Sequence, residues 1–275
     1  MVYYNVKKVL NNNVVIAVKD SKDYVLVGKA IGFDFSKNME VPQDRVENLF
    51  IKQTLTAEEN YNIILETIDS KIVGLSEEII NLCEKELQTR LNDAIHISLP
   101  DHINFAIRRI EKGVAIENPF LSELRALYPK EYALAVKALH MINHSVITQL
   151  PEDEAGFICL HIRAAISEQS VTEPLAYTKK IGEVMELICK LLKKEFSKNS
   201  LEYARTVTHI NFMLERVLSG KTIKNYILDT IRSELYNEFD LAIKVAIKIE
   251  ALFSVKLPED EVGYLALHLK RLSEL

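Results

Sequence analysis

A long-range repeat constrains this chain more than any other feature. His102-Ile103-Asn104-Phe105 returns as His209-Ile210-Asn211-Phe212, and Leu150-Pro151-Glu152-Asp153-Glu154-Ala155-Gly156-Phe157-Ile158-Cys159-Leu160-His161 returns as Leu257-Pro258-Glu259-Asp260-Glu261-Val262-Gly263-Tyr264-Leu265-Ala266-Leu267-His268. Both blocks recur at an offset of 107 residues. Two separated blocks sharing one offset mean that a whole domain was duplicated, so any fold proposed for the first copy must serve the second as well. Each copy places one histidine in each block, His102 and His161 in the first, His209 and His268 in the second.

The repeated part reads as helix. After His102 the apolar positions are Ile103, Ala106, Ile107 and Ile110; after His209 they are Ile210, Met213, Leu214 and Val217, the same stripe of period 3.6. Thr56-x-x-Glu59 is a capping box, and residues 60–68 continue with helical spacing. Breaks are expected at Leu99-Pro100, between Gly113 and Pro119, at Tyr128-Pro129, Leu150-Pro151, between Ser170 and Pro174, at Asn199-Ser200, Gly220 and Leu257-Pro258. They divide each copy into about five helices, giving two all-helical bundles over 60–170 and 171–275. Gly113 and Gly220 suit left-handed helix ends. Gly156 and Gly263 cost about 1 kcal/mol against alanine inside a helix, which close helix packing would repay. Arg109 and Arg216 follow their histidines by nearly two turns and share a face with them.

The first fifty or so residues follow a different period. Val14 to Val18 and Tyr24 to Val27 are short β-branched or aromatic runs joined by a turn-like Lys19-Asp20-Ser21-Lys22-Asp23. With a strand from Tyr3 to Leu10 before them and one from Val46 to Phe50 after, they predict a small antiparallel sheet of four strands over 1–56. The fold class is therefore α+β and multidomain. So small a sheet covers one of its faces at most, and a homodimer burying the other is expected.

Composition narrows the function. Cys83, Cys159 and Cys189 form neither an even set nor a C-x-x-C pair, which argues against disulfides and thiolate zinc and for a reducing, cytoplasmic setting. No apolar stretch approaches membrane-spanning length. The net charge of −5 divides into +2 for residues 1–57 and −7 beyond, mildly favouring a polyanion partner for the first segment. No G-x-S-x-G, P-loop or G-x-G-x-x-G occurs, so neither an enzyme nor a cofactor is expected.

The paired histidines stand out against His96, His140 and His144, whose positions in the second copy hold Tyr203, Ile247 and Ala251. No histidine has a glutamate three residues before it, and His140-x-x-x-His144 lacks the zincin glutamate, so metal is not expected. Duplication alone could leave such histidines as structural relics. What an imidazole does without metal is accept a phosphoryl group, exchanging a near-neutral ring for one bearing roughly −1.5 to −2 charges. Two copies would be two inputs.

A β segment reading Val6-Lys7-Lys8-Val9-Leu10-Asn11-Asn12-Asn13-Val14-Val15, followed by twin domains with paired histidines, resembles the BglG/SacY/LicT family of bacterial transcription antiterminators along the whole chain. The resemblance implies a dimeric RNA-binding co-antiterminator domain followed by two phosphotransferase regulation domains. It places RNA contacts on Lys8, Asn11, Asn13, Gly28, Lys29 and Phe33, and phosphorylation on His102, His161, His209 and His268. It implies as partners a leader mRNA hairpin, the carrier protein HPr and a sugar-specific enzyme II. His102 and His209 are expected near helix N-termini, where a phosphate is tolerated. The chain departs from the family after Phe33, where Asp34-Phe35-Ser36 stands in place of a lysine pair and Gly-Asp. The rival readings are a transcription activator or protein-binding regulator carrying the same bundles, which needs an N-terminal helix-turn-helix, and a phosphocarrier.

Overall fold

The computed structural model describes residues 2–51 and 64–274; the capping box at Thr56 and the helical reading of 60–63 lie outside them. The chain opens with strands β1 (Tyr3–Asn11), β2 (Val14–Lys19), β3 (Lys22–Val27), β4 (Glu40–Pro42) and β5 (Asn48–Ile51). They form one antiparallel sheet in the order β4-β1-β2-β3-β5. Asp20 and Ser21, both with positive φ (49° and 60°), make the tight turn between β2 and β3 that matches strand twist. The sheet has five strands among the described residues, one more than its hydrophobic pattern predicts. The extra one, β4, is three residues long and ends in Pro42, too short for alternation and tolerable only at the edge it occupies. A strand-built N-terminal segment also removes the helix-turn-helix reading.

Val15 pairs with Leu26 and Ala17 with Tyr24, and this face closes over Tyr4, Val6, Ile31 and Val41. The opposite face, with Val14, Ile16, Val25 and Val27 at most 3% exposed, is also buried. Helix α1 (Ser70–Leu87) lies against β1, β2 and β3, so this face is covered within the chain. The expectation that a second copy must bury it is thereby corrected: sixty residues are too few to cover the sheet, but the next helix completes the layer.

Ten helices of seven residues or more follow among the described residues. The first copy holds α1, α2 (Ile95–Glu111), α3 (Leu121–Leu127), α4 (Pro129–Ser145) and α5 (Asp153–Ser167). The second holds α6 (Thr172–Leu192), α7 (Leu201–Leu218), α8 (Leu228–Glu234), α9 (Tyr236–Phe253) and α10 (Glu259–Ser273). Asp69 caps α1 through the Lys71 amide and Ser200 caps α7 through the Tyr203 amide. Gly113 and Gly220 turn out of α2 and α7 with φ of 73° and 68°. A Cβ on Gly263 would stand 2.7 Å from both Asn225 Nδ2 and Leu228 Cδ1, so that glycine does let helices close. Pro100 does not break the chain as expected: it lies inside α2. The helix starts at Ile95, and the wholly buried Leu99 and Ile103 offset the proline's cost of about 3 kcal/mol.

The chain gathers into two compact units, one of residues 1–118 and 130–171, the other of 119–129 and 172–275. Thus α3, from the first copy, belongs to the second unit. There it packs on α6 and α7, with Phe120 against Gly182 and the buried Glu123 accepting from the Tyr203 hydroxyl at 2.5 Å. Its counterpart α8 packs on α9 and α10.

Candidate functional site

Helices α2 and α5 pack together and bring His102 and His161 face to face, with ring centroids 4.7 Å apart. Helices α7 and α10 do the same for His209 and His268, stacked at 4.0 Å. All four rings are half-buried and lie mid-helix. That corrects the expectation of helix N-termini: His102 sits in the middle of α2, because the helix begins before Pro100, and His209 in the middle of α7.

The two pairs differ in what holds them. In the first, Glu154, 1% exposed on α5, binds His102 Nε2, and Ser98 Oγ is 3.3 Å from His161 Nδ1. Arg109 turns away and donates to the Ala115 carbonyl at 2.7 Å. In the second, the equally buried Glu261 is gripped by Arg216 through two hydrogen bonds of 2.8 Å. His209 Nε2 is buried without a hydrogen-bond partner among the described residues. The repeat pairs Glu154 with Glu261, but spacing alone does not say which base each carboxylate takes. Among the described residues no three histidine, cysteine or carboxylate side chains converge as metal ligands would.

Burial holds three of these imidazoles, His161, His209 and His268, in the neutral form. It pushes His161 down to about 3, with His102 adding to the effect, and His209 to about 3, with His268 and Arg216 adding. His268 is lowered by burial and by Arg271. A neutral ring retains the lone pair that attacks phosphorus. A depressed histidine binds fewer protons folded than unfolded, so its stabilisation is full above pH 6.5 and is lost as pH falls toward 3. The buried His96 runs the other way: burial lowers it, but the Glu77 carboxylate 2.8 Å away wins and raises it, so its contribution is full below 6.5 and fades as pH rises through the raised value. Three rings are depressed and one is raised, so the melting temperature is expected to fall as the pH is taken from 7 to 5. In thermal melts His209→Gln should flatten that slope; an unchanged slope would refute it.

The proposed RNA residues gather around the β1–β2 turn. Asn11 Oδ1 accepts from the Asn13 amide and Asn13 Oδ1 from the Ala30 amide, both at 2.9 Å. The Asn12 carbonyl accepts from the Gly32 amide and the Asn13 carbonyl from the Gly28 amide, so the asparagine turn and residues 28–33 are one hydrogen-bonded patch. Gly28 is buried there, and a Cβ would stand 2.2 Å from the Arg45 carbonyl oxygen, so no side chain fits. Lys29 is exposed, and Phe33 is 78% exposed, which excludes a core role. Asp34, the departure from the family pattern, is ion-paired with Arg45. Lys8 is exposed on β1, its Nζ 3.5 Å from the Leu65 carbonyl. Sequence reasoning missed Glu78 of α1, whose carboxylate accepts from Asn11 Nδ2 at 2.6 Å and Asn13 Nδ2 at 2.9 Å. No local pattern links residues so far apart.

Comparison with known proteins matches residues 4–59 to the CAT RNA binding domain and residues 77–165 and 182–272 to the PRD domain. The chain is 35% identical over 270 residues to transcription antiterminator LicT of Bacillus subtilis (strain 168), covering 97% of this chain and 98% of that protein. It is 31% identical over 274 residues to protein GlcT of Staphylococcus saprophyticus, covering 98% and 97%. It is 30% identical over 275 residues to the beta-glucoside operon antiterminator of Dickeya chrysanthemi, again covering 98% and 97%. Among solved structures, the crystal structure of GlcT CAT-PRDI is similar with a TM-score of 0.51 at 39% identity, covering 60% of this chain and 99% of that one. No helix among the described residues is long and apolar enough to cross a membrane. A β-stranded RNA-binding segment, two helical domains each with a facing histidine pair, and likeness along the full length agree: the chain belongs to the BglG/LicT family of transcription antiterminators.

Proposed function

We propose that this protein binds a hairpin in leader mRNA and so prevents an overlapping terminator from forming, under the control of histidine phosphorylation by the sugar phosphotransferase system. The observation that carries the reading is the coexistence in one chain of a patch joining half-buried Asn11 and Asn13 to exposed Lys29 and Phe33 and two domains each built around a facing pair of histidines. The domains are taken as 1–56 for RNA binding and 60–170 and 171–275 for regulation. Lys8 and Lys29 meet phosphates, Asn11 and Asn13 read base edges, Gly28 holds the turn that presents them and Phe33 stacks on an unpaired base. His102, His161, His209 and His268 are the phosphoacceptors, HPr and a sugar-specific enzyme II the donors, and the acting form is a cytoplasmic homodimer. None of this asks the chain to be an enzyme.

The test is transcription through the leader with full-length protein. Readthrough should appear with the protein and change on incubation with the phosphorylation relay, and the chain should take up acid-labile phosphate that the fourfold His→Ala variant does not. No readthrough, and no phosphate on any of the four rings, would overturn the proposal.

A further inference from the structure

The asparagine turn is the place where RNA would be read, yet its side chains are already engaged. Both amide oxygens serve the turn itself, accepting from the Asn13 and Ala30 backbone amides. That leaves the two Nδ2 groups as donors for base edges. Both point to one carboxylate, with Glu78 Oε1 on Asn11 and Oε2 on Asn13. A single carboxylate bridging two amides offers the acceptors that a base edge would offer, and adds a negative charge where a polyanion would approach.

The backbone of α1 closes the same spot. A Cβ built on Gly74 would stand 2.7 Å from Asn11 Nδ2 and 2.8 Å from its Cγ, so the helix lies on this side chain with no room for even a methyl group. Farther along the same face, Glu84 accepts from Asn48 Nδ2 at 2.8 Å, and Lys85 pairs with Glu47, which also accepts from the Lys29 amide at 3.2 Å. The hold on the sheet therefore extends over several turns of α1. Its acidic side lies along the patch assigned to RNA.

We propose that α1 of the first helical domain is an intramolecular competitor of RNA: Glu78 occupies the reading amides of Asn11 and Asn13, and RNA binds only when α1 withdraws. The inference rests on the assignment of these asparagines to RNA. It gives the helical domain a direct grip on the RNA site, separate from any effect on dimer formation. The sequence supports the geometry with Gly74, a costly residue inside a helix, at the point where the backbone of α1 meets Asn11.

The experiment measures binding of the full-length protein to a labelled bulged RNA hairpin from the leader beside its own gene, with Glu78→Ala, Glu78→Gln and Gly74→Ala. Glu78→Ala should lower the Kd at least tenfold. Glu78→Gln, which keeps one acceptor, should give a smaller gain, and Gly74→Ala, which pushes α1 off Asn11 without touching a charge, should also tighten binding. In parallel, the side-chain amide resonances of Asn11 and Asn13 should move to solvent-like positions in Glu78→Ala. Binding unchanged or weaker in Glu78→Ala and Gly74→Ala overturns the proposal, since Glu78 would then be arranging the amides for RNA. Resonances that do not move overturn it also, because the contact would not exist. Absence of binding by every variant and the wild type removes the RNA assignment itself, a result distinct from binding without gain.

Discussion

His102→Asp is expected to lower the melting temperature of the full chain by roughly 4–12 °C, whereas His209→Asp lowers it by no more than a few degrees. The two histidines occupy matching positions 107 residues apart, so a difference must come from their surroundings. Glu154 is almost wholly buried and has His102 for its partner. An aspartate there sets one carboxylate against another and leaves the buried one uncompensated. Breaking such a pair costs about 3–5 kcal/mol in full burial, and roughly 2–3 kcal/mol here because His102 is partly exposed. Glu261 keeps Arg216 whatever happens at position 209, and the guanidinium that already depresses His209 would welcome a negative charge. A phosphoryl group carries the same sign and more charge, so it should loosen the first module and be tolerated by the second. Equal melting shifts in the two variants would show that Glu154 and Arg216 do not set the response.

Phe33→Ala is expected to weaken binding of the leader hairpin by roughly 5- to 150-fold while leaving the melting temperature unchanged. Base stacking on an aromatic ring contributes about 1–3 kcal/mol per base, and that is what the substitution removes. Because Phe33 is 78% exposed, truncation opens no cavity and fold and affinity separate cleanly. Titration of both proteins with the same RNA, beside thermal melts, checks it. Equal affinities would mean that Phe33 faces solvent for another reason.

Features that depend on local periodicity were legible in the sequence. The five helices of each copy, the glycine ends at Gly113 and Gly220, and the β2–β3 hairpin follow from spacing and turn chemistry. What escaped depends on tertiary context. A three-residue edge strand ending in Pro42 carries too little pattern to be seen. Pro100 looked like a stop because its cost is local while the burial that offsets it is not. Residues 121–127 and 228–234 have equivalent positions in the repeat, so nothing in their spacing foretells that α3 joins the second unit while α8 stays among its own neighbours. The candidate residues themselves could be named in advance and the repeat marks Glu154 and Glu261 beside them, but the partner each carboxylate takes could not be read. Glu154, Glu261 and Glu78 all reach their partners across distant parts of the chain.

The pairing of Glu154 with a histidine and of Glu261 with an arginine has a further consequence. Both copies contain the same trio of histidine, arginine and glutamate at the same spacing, yet the buried carboxylate takes the histidine in one and the arginine in the other. One spacing therefore supports two wirings, and the molecule displays one of each. Duplicated modules can thus come to differ in their chemistry while every member of the trio is kept.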